Sequence, residues 1–409
     1  MKILWLSHFV PWPATGHGAL ARSYHLVRET ARRHELHLVA LAPPAADGAH
    51  ATAALDEARR ALGEYCASVE LVPLQHGAGR AQRALLALSS WPSPHSYWEH
   101  WYWSREGEAA FTMQQARYAP DVVHLDTVFL RRYAPSVHVP FVLNHHNVES
   151  HLLQRRCESA SWTGRPFFAS QSRKVRIAEQ ALSRSAATNV MVSETDAERL
   201  RAIVPGARTH VVANGVDLDF FSLPSVLEAS ARELVFLGGM DWFPNRDAID
   251  WFVNDLWPVL TARALVDRAT IVGRSPSPAL LQGAAADPRL VAAGFVDDVR
   301  PHVARAAIFI CPMRVGGGTR LKILDALAMG RVLVSTAVGV EGIPVVDGEH
   351  FLRAETPDEF ASQIARAAAD RELRERLSGA GRALVERDFG WTRLGERLHD
   401  AYNGAARRH

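Results

Sequence analysis

The segment IFICPMRVGGGTRLKILDALAMG, residues 308–330, contains an apolar run, three glycines and a helix-forming stretch in direct succession. IFICPM is typical of a buried β-strand, and TRLKILDALAMG has the apolar spacing of a helix with one buried face. A strand, a tight turn and a helix form the repeating unit of proteins with parallel sheets. The segment therefore predicts a doubly wound α/β fold, with Gly316, Gly317 and Gly318 at the carboxyl edge of a sheet.

The glycine turn has the composition of an anion site. Backbone N–H groups of a turn without side chains can approach an anion closely, and the following helix adds its positive N-terminal end. Arg320 and Lys322 place two cations beside that end, which favours a phosphate. Asp325, two helical turns further on, can accept hydroxyl hydrogen bonds as a ribose ligand does.

Two known phosphate motifs do not fit this segment. It lacks the Lys-Ser or Lys-Thr pair of a Walker loop, and it lacks the third glycine of a dinucleotide fingerprint. A plain strand-to-helix turn explains the glycines as well, and a solvated helix face is the alternative for Arg320 and Lys322. Neither half of the chain contains the full fingerprint that a dehydrogenase needs.

Length and composition indicate an ordinary folded chain with two domains. The chain has 409 residues, which is more than a single domain with one hydrophobic core usually contains. It is 48% hydrophobic and 22% charged, as is usual for a folded protein. Its net charge of +2 does not indicate a nucleic-acid surface. The chain has three cysteines, Cys66, Cys157 and Cys311, which lie far apart in the sequence. An odd number at this spacing argues against a disulfide framework and favours a protein of the reducing cytoplasm. No stretch approaches the ~20 apolar residues of a membrane span.

Short apolar runs alternate with helix-period segments along the chain. We predict two sets of strands: 2–7, 35–41, 68–74, 121–126 and 140–145, then 187–193, 209–214, 233–239, 269–273, 308–313 and 331–336. The two sets predict two doubly wound domains, residues 1–185 and 186–388. The last stretch, about 389–409, has helical period and is expected to pack back on the first domain.

The segment 294–343 strongly resembles the donor-site segment of retaining glycosyltransferases of the GT-B fold, glycosyltransferase family 4. Further segments agree with that family in the same order along the chain: PDVVHLD (120–126), HHNVES (145–150), VSETDAERL (192–200), VVANGVDLDFF (211–221) and FLGGMDWFPNRDAIDWF (236–252). The resemblance covers nearly the whole chain and looks most like the branch that builds bacterial polysaccharides and related glycoconjugates. It implies two Rossmann-like domains facing across a cleft, with the acceptor on the N-terminal domain and the nucleotide sugar on the C-terminal domain.

The resemblance implies a donor site in the second half, with departures from the family pattern. The family usually has two glutamates eight positions apart, where this chain has Gly317 and Asp325. The usual Arg and Lys pair that holds the diphosphate falls on Met240 and Asn245. The donor contacts implied by the resemblance in this half are Gly239, Asn245, Arg314, Gly317, Gly318, Thr319, Lys322 and Asp325. Because the usual pair is missing, Arg320 and Lys322 are expected to replace it.

In the first half, PATGHGALAR (13–22) resembles the family's loop between the first strand and the first helix. Gly16 and Gly18 of this loop are expected to face the donor, although a plain βα turn explains them almost as well. His146 is at the position where many family members have a histidine near the reacting carbon. A catalytic role and a structural hydrogen-bonding role are both open for it.

The stretch SSWPSPHSYWEHWYWSREGEAA (89–110) contains Trp91, Trp98, Trp101 and Trp103. Such aromatic side chains stack on sugar rings, and they also anchor proteins at a lipid surface. We expect Trp98 and Trp101 to be acceptor-side residues. Core filling between a loop and a helix is the alternative.

The resemblance implies a hexosyl-type glycosyltransferase that moves a sugar, with retention, from a nucleotide-diphosphate sugar to a glycan, lipid-linked or small-molecule acceptor. Arg320 and the backbone amides of 317–319 would stabilise the departing phosphate, so that no metal and no other cofactor is expected. Asp217 and Asp219 form an Asp-x-Asp, but their motif reads as a turn. Expected partners include the inner face of a membrane, as a peripheral contact, and exclude nucleic acid. A non-catalytic nucleotide-sugar or glycan-binding protein and a sugar-nucleotide epimerase of the same fold are the alternatives.

Overall fold

The computed structural model describes residues 1–13, 18–42, 48–74, 79–222, 229–316 and 319–407. The chain divides into two compact units, Met1–Ala213 with Trp391–His409, and Asn214–Gly390. The strands are β1 Lys2–Ser7, β2 Glu35–Ala42, β3 Ser68–Pro73, β4 Val122–Leu125, β5 Phe141–Asn144, β6 Thr188–Met191, β7 Thr209–Val211, β8 Ser230–Leu237, β9 Arg268–Val272, β10 Leu290–Gly294, β11 Ala306–Cys311, β12 Val332–Ser335 and β13 Leu352–Arg353.

Helices connect most of these strands. They are α1 Gly18–Ala31, α2 Gly48–Gly63, α3 Arg80–Ser90, α4 Tyr97–Tyr102, α5 Arg105–Tyr118, α6 Glu149–Ser159, α7 Arg165–Ser185, α8 Glu194–Ile203, α9 Phe243–Trp251, α10 Trp257–Ala262, α11 Pro278–Ala286, α12 Arg300–Arg305, α13 Leu321–Ala328, α14 Pro357–Ala369, α15 Arg371–Asp388 and α16 Trp391–Ala406. A 3-10 segment, Val128–Ser136, and a π-helical segment, Phe252–Leu256, complete the regular structure. None of the helices, as far as the described residues go, is both long and apolar enough to cross a membrane.

The first unit contains a seven-stranded parallel sheet in the order β3-β2-β1-β4-β5-β6-β7. Ile3, Leu4, Trp5 and Leu6 of β1 are all fully buried. An uninterrupted apolar run of this kind is expected for a central parallel strand, because helices cover both faces of the sheet. Strands β2 and β3 are added on one side of β1, and β4 to β7 on the other side. The switch point between β1 and β4 is where ligands bind in open α/β sheets.

The strands β6 and β7 complete the first sheet. Thr188 pairs with Val142 of β5, and Thr209 pairs with Asn189 of β6. The boundary between the units therefore lies after Ala213, and not after residue 185 as the sequence led us to place it. Apolar periodicity identifies a strand, but it does not identify the sheet that the strand joins.

The terminal helix α16 belongs to the first unit, where it packs against α1. Trp391, Leu394, Leu398 and Tyr402 are buried at intervals of three or four residues, which is the spacing of one helix face. The ring of Trp391 stacks on the imidazole of His25 with 4.7 Å between the ring centroids. The apolar face of α16 is thus buried against residues of the first unit.

The second unit contains a six-stranded parallel sheet in the order β10-β9-β8-β11-β12-β13. Phe236, Ile308, Ile310 and Phe360 are fully buried in its core. The sheet includes two strands, β10 and β13, that the sequence analysis did not predict. The strand β13 has only two residues, and three of the five residues of β10 are alanine or glycine, which are depleted in strands. Two parallel-sheet Rossmann-like domains of seven and six strands are the fold class that we expected.

Candidate functional site

The glycine turn of the second unit follows β11 and ends at α13. Gly316 has φ = 148°, and a Cβ atom there would lie 2.6 Å from Nη2 of Arg320. The side chain of Arg320, the N-cap residue of α13, is therefore packed against the backbone of the turn, which requires glycine at position 316. Gly317 and Gly318 lie outside the described residues.

Arg320 is a buried cation next to a carboxylate. The residue is only 4% exposed, and its Nη2 atom lies 3.9 Å from Oε2 of Glu341. The neighbouring Thr319 is also buried, and its carbonyl oxygen accepts a hydrogen bond of 3.2 Å from Nδ2 of Asn214. These contacts hold Thr319 and Arg320, the two residues that precede α13, in place.

Lys322 lies one residue inside α13 and is partly buried. Its Nζ atom donates a 2.6 Å hydrogen bond to Oδ1 of Asn245 and lies 4.1 Å from the ring centroid of Phe236. Among the described residues, no carboxylate lies within ion-pair distance of this ammonium. Burial lowers the pKa of Lys322 to about 8, and the charge of Arg320 also lowers it.

Asn245 connects α13 to the turn after β8. Its Nδ2 atom donates to the carbonyl oxygen of Gly239 at 2.9 Å, while Oδ1 accepts from Lys322. A Cβ atom at Gly238 would lie 2.6 Å from both the Asn245 amide nitrogen and the Lys322 ammonium. Met240, where the family resemblance implies a cation, is fully buried in the core of the second unit. The structure therefore places Lys322 and Asn245 together, whereas Met240 is part of the apolar core.

Asp325 lies one turn after Lys322 on α13 and is partly buried. Burial raises the pKa of its carboxyl to about 8, although the positive charge of Lys322 lowers it. A carboxyl group with this pKa is mostly protonated at neutral pH. Donors that hydrogen-bond to the carboxylate would favour its ionised form.

Arg314 is exposed and forms a two-point contact with Asp247, with Nη2 to Oδ1 at 2.8 Å and Nε to Oδ2 at 3.2 Å. Its guanidinium also lies 5.2 Å from the ring centroid of Trp251. The side chain is therefore held against α9 by an internal partner. Of the predicted donor contacts, Arg314 is the one whose charge an acid on a neighbouring helix already compensates.

Asp217 forms a local turn. Its Oδ1 atom accepts hydrogen bonds from the backbone N–H groups of Asp219 and Phe220, at 3.2 and 3.0 Å. This is the hydrogen-bond pattern of an Asx turn. Within the described part of the chain, the Asp217 carboxylate therefore holds its own loop.

In the first unit, polar side chains meet at the carboxyl ends of β1, β4 and β5. The fully buried carboxylate of Asp126, which follows β4, accepts hydrogen bonds from Ser7 Oγ at 3.2 Å and Ser23 Oγ at 2.8 Å on Oδ2. Its Oδ1 atom accepts a third from Asn144 Nδ2 at 2.8 Å. Burial raises the pKa of Asp126, but the nearby His146, together with His124 and His8, holds it well below its usual value.

His146 lies next to that carboxylate. Its Nε2 atom is 3.4 Å from Oδ1 of Asp126, and its side chain is 7% exposed. Nδ1 of His146 has no hydrogen-bond partner in the described part of the chain. The imidazole ring lies 5.5 Å from that of His8 and 6.2 Å from that of Phe9, measured between centroids. One edge of His146 thus faces a fixed negative charge, and the Nδ1 atom on the other edge is buried without a hydrogen-bond partner among the described residues.

Arg22 supplies the buried positive charge of this network. Its guanidinium donates to Oδ1 of Asn144 at 3.1 Å and to the carbonyl oxygen of Ala213 at 2.8 Å. Burial lowers the pKa of Arg22 to about 10, while the charge of Asp126 raises it. The ring of His124 stacks on that of Trp5, with 3.5 Å between the ring centroids, at the edge of this network. The guanidinium of Arg22 and the carboxylate of Asp126 are therefore joined in one buried hydrogen-bond network through Asn144.

Three of these side chains could hold a metal ion. His8, Asp126 and His146 each offer a ligand atom, and these atoms lie within 4.8 Å of one another. Two imidazoles and one carboxylate are a ligand set that zinc accepts, at about 2.0–2.2 Å from each atom. The measured separations, 3.9 Å from His8 Nδ1 to Asp126 and 3.4 Å from His146 to Asp126, suit a shared ion or a direct charge contact.

The remaining predicted residues of the first unit are placed differently. Gly18 begins α1 and is exposed, while Gly16 lies outside the described residues. Trp98 is partly buried and stacks on Phe129 with 5.6 Å between centroids, next to a small apolar core cluster. Trp101 is also partly buried. The structure favours the core-filling interpretation for Trp98.

Asp126, His8 and Arg22 belong to this site but were not predicted from the sequence. Asp126 ends the segment PDVVHLD, and His8 comes directly after the first predicted strand. Polar residues at the carboxyl ends of neighbouring parallel strands are the signal that could have identified them.

Two parallel-sheet Rossmann-like domains, each with polar side chains at the carboxyl ends of its strands, are the architecture of the GT-B glycosyltransferases. Residues 17–220 match the family model "Glycosyltransferase Family 4", and residues 231–370 match "Glycosyl transferases group 1". The chain is therefore a glycosyltransferase made of a family 4-like domain followed by a group 1 domain. A search of the curated proteins found no match.

Solved structures with the same fold match almost the entire chain. Sucrose-phosphate synthase from Thermosynechococcus elongatus is 18% identical, with a TM-score of 0.72 and 98% of each chain covered. Anabaena HepE, solved in complex with UDP, is 15% identical, with a TM-score of 0.66 over 98% of this chain and 100% of that one. A glycosyltransferase from Rickettsia africae is 13% identical, with a TM-score of 0.65 over 100% and 99%. At these identities the likeness shows the fold.

Proposed function

We propose that the protein is a retaining glycosyltransferase that moves a sugar from a nucleotide-diphosphate sugar to a glycan, lipid-linked or small-molecule acceptor. The second unit binds the donor and the first unit binds the acceptor. The bound UDP of the HepE structure supports a nucleotide donor by analogy, since that protein shares the fold. Polysaccharide or glycoconjugate synthesis is the role that this chemistry suits.

The observation that carries the proposal is the environment of Lys322. This partly buried ammonium donates to an amide oxygen, Asn245 Oδ1, where an ion pair would be expected. A cation that lacks a carboxylate partner and whose pKa is lowered by burial gains most from an incoming anion. A diphosphate next to α13 would supply that anion, with Arg320 and the helix N-terminus on the same side.

Asp325 would hold the ribose of the donor. Two ribose hydroxyls donating to its carboxylate would stabilise the ionised form and lower its pKa from about 8. This assignment puts the ribose and the diphosphate on the same helix, α13.

His146 would contact the transferred sugar. Its Nδ1 atom is buried and has no hydrogen-bond partner among the described residues, so a sugar hydroxyl would supply the missing partner. The Asp126 carboxylate holds the opposite edge of the ring. Departure of the nucleotide leaves an oxocarbenium-like sugar, and the acceptor attacks on the face from which the phosphate leaves. The phosphate oxygen takes the acceptor proton, so this step needs no side-chain nucleophile.

We further propose that the reaction needs no metal, because Arg320, Lys322 and the turn amides would neutralise the leaving diphosphate. The three cysteines are free, which suits a cytoplasmic enzyme. A lipid-linked acceptor would bring such an enzyme to the inner face of a membrane as a peripheral protein.

Calorimetry with UDP, GDP and ADP tests the donor assignment. Lys322→Met should weaken the binding of the preferred nucleotide by about tenfold to a hundredfold, as for a lost charge-assisted hydrogen bond. Arg305→Met is the matched control, since Arg305 is an exposed cation of the same unit. Equal affinities for all three proteins would contradict the assignment, and release of free sugar without any acceptor would indicate an epimerase or a hydrolase.

A further inference from the structure

The helix α6 begins directly after the segment that contains His146. Its N-cap residue is Val148, whose side chain makes no cap hydrogen bond. The first N–H groups of a helix have no partner within the helix, and a buried N–H group without a partner is costly. Ser150, in the first turn, is buried. Its N–H group therefore needs an acceptor from another element.

Glu179 of the neighbouring helix α7 is that acceptor. Its Oε1 atom accepts a hydrogen bond of 3.2 Å from the backbone N–H of Ser150, and Oε2 accepts one of 2.5 Å from Ser150 Oγ. Glu179 is fully buried. Oγ of Ser172, also on α7, donates to the carbonyl oxygen of Ser150 at 2.8 Å. The first turn of α6 is thus held against α7, chiefly by one carboxylate.

The surroundings of Glu179 oppose the effect of its burial. Burial raises the pKa of Glu179 to about 7, whereas hydrogen bonds from Ser150 and from the backbone of Glu149 lower it, as does the charge of Arg176. The dipole of α6 also stabilises a negative charge at its N-terminus. Glu179 therefore does for α6 what the side chain of an Asp or Ser N-cap residue usually does.

The other end of the segment that contains His146 is held by β6. The backbone N–H of His145 donates to the carbonyl oxygen of Val190 at 2.9 Å, and Nε2 of His145 lies 3.1 Å from Oδ1 of Asn189. His146 follows directly, and then the first turn of α6. A short segment that is held at both ends has few conformations open to it. The contact at Glu179 therefore restricts where the imidazole of His146 can lie.

We propose that Glu179 is a positioning residue for the transfer reaction: its carboxylate holds the first turn of α6 and, through that turn, the imidazole of His146 at 3.4 Å from Asp126. Because Glu179 is fully buried, it acts through His146 and not by contact with a substrate. The inference rests on the proposed function for its effect on the rate, since a displaced His146 slows transfer only if His146 contacts the sugar.

Steady-state rates on the nucleotide sugar test the proposal. Glu179→Ala should lower kcat by about tenfold to a hundredfold, because a displacement of ~1 Å can have an effect of this size. Nucleotide affinity, measured by calorimetry, should be unchanged. Glu179→Gln should restore most of the rate, since its amide oxygen can still accept from the Ser150 N–H. Glu29→Ala, at a buried acid of α1, is the matched control and should keep full turnover.

A double-mutant cycle separates positioning from a structural role. If Glu179 acts through His146, adding Glu179→Ala to His146→Ala should lower kcat by less than about twofold further. An independent structural role would give the full loss in both backgrounds. Such additivity would overturn the proposal, and so would full turnover by Glu179→Ala in the wild-type background.

Nuclear magnetic resonance of isotope-labelled histidine reports the placement of His146 without the reaction. The imidazole signal that disappears in His146→Ala should shift in Glu179→Ala and stay unchanged in Glu29→Ala. Ser150→Ala keeps the backbone hydrogen bond to Glu179 and should produce a smaller shift, which provides the test if Glu179→Ala does not fold. An unmoved His146 signal in every folded variant at Glu179 or Ser150 would overturn the proposal. Absence of transfer by the wild-type protein would instead contradict the proposed function, and the resonance result would stand separately.

Discussion

The Nε2 atom of His146 lies 3.4 Å from the Oδ1 atom of Asp126. Asp126 is itself held by Ser7, Ser23 and Asn144, so the orientation of His146 is set by a carboxylate that cannot easily move. A histidine that is fixed on one edge and unpartnered on the other is suited to contact a substrate.

Replacing His146 should impair turnover. We expect His146→Ala to lower kcat by on the order of a hundredfold or more, because a positioned group that interacts with the reacting sugar is lost. Nucleotide affinity, measured by calorimetry, should be unchanged. His138→Ala, at an exposed position of the same unit, is the control. Full turnover by His146→Ala would leave His146 with a purely structural role.

Replacing Asp325 should impair nucleotide binding. Asp325→Ala removes charge-assisted hydrogen bonds to ribose worth roughly 1.5 to 3 kcal/mol, so affinity should fall about tenfold to a hundredfold. The hydrogen bonds to ribose are lost equally from the ground state and from the transition state. Asp297→Ala, an exposed acid in the same unit, is the control. Normal nucleotide binding by Asp325→Ala would show that the ribose is held elsewhere.

Arg320 should affect the rate more than the affinity. The negative charge on the leaving phosphate grows during the reaction, so Arg320→Ala should lower turnover by on the order of a hundredfold or more, with a smaller effect on nucleotide binding. Because Arg320 is buried near Glu341, its removal also costs stability. Arg320→Lys keeps the charge and is expected to recover part of the rate in a protein of near-normal stability.

The opposite result is also informative. If Arg320→Ala retains full turnover while a substitution at Arg314 or Lys322 abolishes it, the charge that grows on the leaving phosphate is stabilised by Arg314 or Lys322 and not by Arg320. Thermal unfolding curves recorded beside the steady-state rates separate misfolding from a lost contact.

Proton exchange on nucleotide binding should report Lys322 and Asp325 separately. Both groups have a pKa of about 8 in the free protein. A diphosphate favours the protonated ammonium and causes proton uptake, whereas ribose hydroxyls favour the carboxylate and cause proton release. Near pH 8 we therefore expect net uptake in Asp325→Asn and net release in Lys322→Gln. Calorimetry in buffers of different ionisation enthalpy measures both, and the same sign in the two variants would contradict the assignment.

Chelation should leave the reaction intact. Treatment with EDTA followed by gel filtration is expected to preserve turnover, because protein cations are proposed to neutralise the leaving diphosphate. Metal analysis of the treated protein verifies removal. Activity that is lost on chelation and restored by zinc or manganese would instead assign a metal to His8, Asp126 and His146, and His8→Ala would then lower metal affinity.

The sequence by itself determined the class of fold. Apolar runs such as KILWLS and IFICPM, separated by segments of helical period, require parallel strands covered by helices, because such runs can be buried on both faces only in that arrangement. The glycine turn followed by Arg320, Lys322 and Asp325 also depends on local order alone. All of these residues lie within one strand–turn–helix unit.

The tertiary structure decided which distant residues meet. Apolar period could not show that β6 and β7 pair with β5, since sheet membership depends on contacts between segments far apart in the chain. The same holds for Asn245 against Lys322, 77 residues apart, and for Asp126 against Ser7, 119 residues apart. The exposure of a side chain also depends on packing. Trp98 and Leu85 are both apolar, but Trp98 packs against Phe129 whereas Leu85 lies on the surface. The local sequence fixes the backbone pattern, whereas the packing of remote segments fixes the charge, burial and partners of each side chain.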